Sequence, residues 1–206
     1  MSDLTFYTNP MSRGRIVRWM LEETGADYDT EIMGYADSMK ADAYLAINPM
    51  GKVPAIVHKG KVVTECAAIC AYLGDAFPDA GLAPATSDRA DYYRWLFFAA
   101  GPVEHAVTNH AAGFVPAPER GRMFGYGNYD LMVDVLEKAV AAHPYIAGDA
   151  FTAADVYVGS QVIWGQQFGT LPKRDAFAAY AERLTGRDAY KRAGAKDDAL
   201  MPAQPA

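Results

Sequence analysis

The chain has 206 residues, of which 51% are hydrophobic and 21% charged, and a net charge of −6. That is enough chain for one large or two small domains with a full core, and an acidic balance with no basic stretch argues against a nucleic-acid or anionic-membrane partner. The longest apolar runs, such as Trp95 to Gly101, fall far short of a bilayer span.

The start MSDLTFY has neither a basic nor an apolar signal region, so no secretion signal is expected. Cys66 and Cys70 sit four apart on one helical pattern. Cysteines on one helix face rarely pair structurally, and this usage fits a reducing cytoplasm.

The first half alternates strand and helix. Leu4 to Thr8 is β-prone and is broken by Asn9-Pro10. From Ser12, apolar residues Ile16, Val17, Met20 and Leu21 recur at helical spacing, and Gly25 stops the run. Tyr28 to Ile32 reads as a second strand, and Ala41 to Ile47 as a short helix closed by Asn48-Pro49. Ala55 to Val57 and Lys61 to Val63 flank Lys59-Gly60 as a hairpin, and Ala67 to Phe77 is helical. The order β-α-β-α-β-β-α is an α/β design with a crossover unit and a closing hairpin.

The texture changes at Pro78-Asp-Ala-Gly-Leu-Ala-Pro84, and the domain boundary is placed there. The expected division is 1–78 for the α/β domain, 79–86 for the linker and 87–206 for an all-helical domain. Ser87 is expected to cap a long helix toward Ala112, and Glu119 to Ala142 to form a second. Thr152-Ala-Ala-Asp155 is a capping box before a buried helix. Arg174 to Leu184 and Asp188 to Ala193 finish the bundle, and the tail AKDDALMPAQPA is expected to be loose.

Three stretches carry candidate chemistry, each with a plain structural alternative. Val53-Pro54 opens a strand; a proline belongs at a strand start in any case, but a cis proline there leaves Val53 N–H and C=O free to pair with an extended ligand. Glu65-Cys66 opens a helix, where exposed amides and the dipole favour an anion and lower a thiol's pKa, although a Glu there also simply stabilises the helix. Cys70, one turn on, reads as core. In Tyr7-Thr8-Asn9-Pro10-Met11-Ser12, Ser12 either caps the helix or points its hydroxyl at a ligand. Arg13, Arg15 and Arg18 read as a solvated face. His58, His105, His110 and His143 show no metal-ligand spacing, so no metal is expected.

Together these residues resemble a bacterial-type cytosolic glutathione S-transferase along nearly the whole chain. N-P-x-G-K-V-P-A at 48–55 is similar to the family's glutathione-backbone motif, T-E-C-A-A-I at 64–69 to its Glu-Ser helix start, and F-T-A-A-D-V at 151–156 to the motif of its second domain. The resemblance implies an α/β thioredoxin-like N-terminal domain followed by an all-α helical C-terminal domain. It implies that Val53 pairs with the cysteinyl part of glutathione beside cis Pro54, that Glu65 and Cys66 hold the γ-glutamyl end, and that Lys52 sits near the ligand's other carboxylate or its main chain. Cys66 stands where the family carries serine, and a thiol donates more weakly than a hydroxyl.

The same resemblance implies that one residue activates the glutathione thiol. Ser12 is favoured, within one residue of the family's serine position, where Met11 stands; Tyr7 is second and Asn9 third. The implied reaction is attack of the thiolate on a small hydrophobic electrophile, a detoxification chemistry, with glutathione as co-substrate. The electrophile is expected between the domains against Met11, Tyr35, Phe98, His110, Phe114 and Trp164. A homodimer is expected. Two rival readings are a glutathione-dependent disulfide reductase or peroxidase, to which Cys66 lends support, and a non-catalytic glutathione binder.

Overall fold

The structure is a computed structural model, described over residues 2–201. The chain divides into two compact units, one running to Leu82 and resuming at Arg187, the other spanning Ala83–Gly186.

The first unit is built on β1 (Leu4–Thr8), α1 (Gly14–Thr24), β2 (Asp29–Ile32), α2 (Asp42–Leu45), β3 (Ala55–His58), β4 (Lys61–Thr64) and α3 (Cys66–Ala76). The sheet order is β2-β1-β3-β4, with β1 parallel to β2 and antiparallel to β3. This is the expected thioredoxin-like arrangement. Leu4, Phe6 and Thr8 alternate onto the buried side of β1, which packs with α1. Ile16, Val17, Met20 and Leu21 of α1 and Ile69, Cys70 and Leu73 of α3 are buried too, and the two helices pack on each other. A smaller cluster of Met33, Met39, Tyr44 and Ala55 is flanked by half-buried Tyr7, Ile47 and Val53. The register sets Tyr7 opposite Ala55, so the residues that precede β3 lie beside the end of β1.

The last helix, α9 (Asp188–Asp198), belongs to this unit and packs along α1. The sequence reading ended it at Ala193 and ran the helical domain to the C-terminus. Side chains of α1 explain both differences. Arg18 Nε donates to Asp197 Oδ1 at 2.7 Å with both groups buried. Burial pushes the Asp197 carboxyl up, and the Arg18 guanidinium pulls it back. Arg18 is therefore interior and Arg15 half-buried; only Arg13 lies on a solvated face. The tail expected to be loose begins inside α9, and its part beyond 201 lies outside the described residues.

The second unit contains α4 (Ala90–Phe98), α5 (Glu104–Ala111), α6 (Tyr129–Ala142), α7 (Ala153–Phe168) and α8 (Asp175–Thr185). The long helix expected from Ser87 starts at Ala90, because Ser87 sits in a separate 3₁₀ turn, Thr86–Asp88. A π-helical segment, Ala99–Val103, interrupts it around Pro102. Proline has no N–H for the Phe98 carbonyl, so the ladder must re-register there. The helix expected from Glu119 begins only at Tyr129, with Asn128 accepting from Leu131 N–H at 2.8 Å. Gly121, Gly125 and Gly127, the last at φ 68°, make the preceding stretch a poor helix. Among the described residues no helix is long and apolar enough to cross a membrane.

Candidate functional site

The site end of the first unit is formed by the β1–α1 turn, the loop before β3 and the start of α3. The loop is fixed first. Asn48 O accepts from Gly51 N–H at 2.8 Å and Asn48 Oδ1 from Met50 N–H at 3.1 Å. Tyr44 Oη and Asn48 Nδ2 both donate to the Lys52 carbonyl, at 2.6 and 2.7 Å. Burial, reinforced by neighbouring Tyr7, pushes the Tyr44 phenol up to about 12 against the hydrogen bond to Asn48. Tyr44 therefore stays a donor. The clamp ends at Val53. Among the described residues neither its N–H nor its C=O has a hydrogen-bond partner, and the Val53-Pro54 peptide is cis. The Lys52 side chain is exposed.

Tyr44 is absent from the sequence reading, and Asn48 enters it only at the close of the short helix and as the first residue of the 48–55 motif, with no role of its own. They lie four apart, one helical turn, and that spacing was the available signal.

At the start of α3, Glu65 has φ 66° and ψ 119°, a left-handed conformation that costs a side-chain-bearing residue energy. Its carboxylate is exposed and no side chain caps the helix. Ala67 and Ala68 N–H have no partner among the described residues. Cys66 is buried, with Sγ 3.7 Å from the Arg13 carbonyl at the start of α1. Cys70 is fully buried, and burial pushes its thiol well up, so it is core, as expected.

The three candidates for thiol activation are brought together but differ in what they have free. Ser12 Oγ donates to the Asn9 carbonyl at 2.7 Å and accepts from Gly14 N–H at 2.9 Å. Its proton is committed to the turn, and it lies two residues before α1 rather than at its first turn. Asn9 is buried, donating from Nδ2 to Met33 O and accepting at Oδ1 from Met11 N–H, each at 2.9 Å. Tyr7 is half-buried, its ring 5.6 Å from that of Tyr44, and its hydroxyl has no partner among the described residues. Gly14 is required here: a Cβ would lie 1.9 Å from Thr8 Oγ1.

The residues expected around an electrophile fall in both units. In the first, Tyr35 Oη donates to the Met11 carbonyl at 3.1 Å, and both side chains are exposed. In the second, Phe98 packs edge-on against Trp95, His110 stacks on Tyr129 at 3.9 Å, Phe114 lies beside Phe124, and Trp164 is half-buried.

Residues 11–76 match the model of the glutathione S-transferase N-terminal domain. A glutathione S-transferase of Escherichia coli O157:H7 is 30% identical over 181 residues, 81% of this chain and 85% of the relative. The chain belongs to the glutathione S-transferase family. A disulfide-bond oxidoreductase of Escherichia coli K12 is 27% identical over 75% of this chain and 58% of its own length. Among solved structures, a sphingomonad glutathione S-transferase complexed with glutathione is 28% identical with a TM-score of 0.76, over 94% of this chain and 98% of that one. The fold over that span is therefore that of this family.

Proposed function

We propose that the protein is a glutathione transferase that ionises the glutathione thiol and directs it at a small hydrophobic electrophile. The observation that carries this reading is the unpaired Val53 backbone, held in place by the Tyr44 and Asn48 bonds to Lys52 O. An extended tripeptide presents the complementary pair, adding as a short strand. Glu65 then takes the ligand's ammonium, the open amides of α3 take its α-carboxylate, and exposed Lys52 faces its other carboxylate.

For the activating residue the free hydroxyl of Tyr7 outranks the committed one of Ser12, reversing the order read from the sequence. A free thiol titrates near 8.5, and lowering that by two units needs roughly 2.7 kcal/mol. One hydrogen bond to a charged group supplies about 1.5–3 kcal/mol, so one hydroxyl is nearly sufficient. The thiolate sulfur forms a bond to the electrophilic carbon, and the leaving group departs with the electron pair, or the adduct takes a proton.

The test is a pH titration of protein-bound glutathione followed by thiolate ultraviolet absorbance. Wild type and Ser12→Ala are expected to ionise well below the free thiol, and Tyr7→Phe to lose the shift. Tight binding without any shift in the wild type would make the protein a binder rather than a transferase. A second reading, glutathione-dependent disulfide reduction, is favoured by Cys66 at the γ-glutamyl position and by the oxidoreductase relative. It requires that thiol to exchange with a mixed disulfide, so Cys66→Ser abolishes it and leaves conjugation intact.

A further inference from the structure

The β1–α1 turn is tied to the far end of the sequence. Arg15, in the first turn of α1, donates from Nε to the Pro10 carbonyl at 2.6 Å, and its Nη2 pairs with Asp198 Oδ1 of α9 at 2.8 Å. A cation in the first turn works against the helix dipole, so helix stability does not account for arginine there. Its two partners do. The guanidinium is a rigid planar fork, so fixing Nη2 on Asp198 fixes the direction in which Nε points. Pro10 is the residue between Asn9 and Met11, inside the turn that Asn9 and Ser12 close on themselves.

The helix that offers Asp198 is itself firmly docked on α1. The buried Arg18–Asp197 pair lies next to it, and Glu22 receives Lys196 and Arg192 further along. Arg187 Nε donates to Glu23 Oε1 at 2.6 Å at the other end. The pairs run antiparallel in order, 15 with 198, 18 with 197, 22 with 192 and 196, and 23 with 187, so α9 lies in one register on α1.

We propose that Arg15 is a positioning residue for the β1–α1 turn, which follows directly on the strand that carries Tyr7, and that the C-terminal helix sets it through Asp198. The turn's order therefore depends on a docked α9, although no α9 side chain needs to touch the substrate. The activity arm of this inference rests on the glutathione-transferase reading; the structural arm does not.

The experiment measures amide hydrogen exchange at Met11, Ser12 and Gly14 in the full-length free protein, together with kcat, KM and the bound-thiol titration. Arg15→Gln is expected to speed exchange at these three amides and lower kcat/KM about tenfold, mostly through kcat, because the turn that holds the end of β1, and with it Tyr7, loses its alignment. Asp198→Asn does the same more weakly, about two- to threefold, since its carboxylate is exposed. Asp198→Glu restores wild-type exchange. Arg192→Gln, which loosens the same helix away from the turn, leaves the three amides unchanged. The proposal is overturned if Asp198→Asn leaves the turn amides at wild-type rates, or if Arg192→Gln speeds them equally, which would mean general undocking of α9. Should wild-type protein fail to ionise glutathione, the function reading falls, and the exchange data still decide the role of Arg15.

Discussion

The starts of α7 and α3 each carry an acidic residue, Asp155 and Glu65, and the contrast between them separates architecture from candidate site. At the start of α7, Asp155 is fully buried and saturated: Ile146 N–H and Tyr180 Oη donate to Oδ1 at 2.7 and 2.8 Å, and Thr152 N–H and Oγ1 donate to Oδ2 at 2.8 and 3.1 Å. At the start of α3, Glu65 is exposed, sits at φ 66° and caps nothing. A closed helix start spends its polar groups on folding. An open one, held in an unfavourable conformation, leaves them for the ligand proposed to bind there.

The closed start predicts the largest effect. Asp155→Ala removes the acceptor for two buried amides and a buried phenol and is expected to cost about 3–5 kcal/mol in urea unfolding. Glutathione affinity of the folded fraction is expected to stay at the wild-type value; a parallel loss of affinity would erase the contrast. A pH signature accompanies it. Burial raises the Asp155 carboxyl above its ordinary 3.8, and the four donors pull it back. A folded-state pKa above the unfolded one means that the native protein holds this proton longer. Its contribution to stability therefore falls as pH rises from 3.8 through the folded value, and Asp155→Asn removes that slope.

The open start predicts opposite signs for stability and binding. Glu65→Gly relieves the left-handed backbone and is expected to raise stability by up to about 1 kcal/mol. It also deletes the carboxylate proposed to hold the ligand's ammonium, so calorimetry should find glutathione bound roughly 10- to 100-fold more weakly, the size of one charge-assisted hydrogen bond. Glu65→Gln keeps the backbone and isolates the charge. If stability and affinity fell together, Glu65 would be a structural residue like Asp155.

The same contrast explains what was legible in the sequence. Closed features write themselves locally. The Thr152–Asp155 spacing, the Lys59-Gly60 turn and the Gly25 stop each put partners or special backbone within a few residues. The four strands and the start of α7 follow from such signals, and the strand boundaries differ by a residue at most. Long-range pairs leave no local trace. Nothing near Arg18 announces Asp197, 179 residues away, so a buried arginine reads as a solvated one. The committed proton of Ser12 is a further case, because it depends on the turn's geometry rather than on the residue's type. The break at Pro102 was readable in principle, since an interior proline forbids an unbroken helix.

The smallest predicted effect tests whether the open start is tuned for binding or for redox chemistry. Cys66 sits in the first turn of α3 with its sulfur 3.7 Å from the Arg13 carbonyl, a long contact with a weak donor. In Cys66→Ser a hydroxyl replaces the thiol and donates more strongly to a γ-glutamyl carboxylate. Glutathione should bind a few-fold tighter, about 0.5–1 kcal/mol, the gain from exchanging a weak donor to that carboxylate for a stronger one. Conjugation of an electrophile should persist, because the attacking sulfur belongs to the ligand and its proposed donor is Tyr7. A variant that keeps conjugation and binds more tightly makes Cys66 a spectator with a weak bond. One that loses turnover against a glutathione mixed disulfide, while still binding glutathione, makes it a redox group, and the open helix start would then hold a reacting atom as well as a ligand.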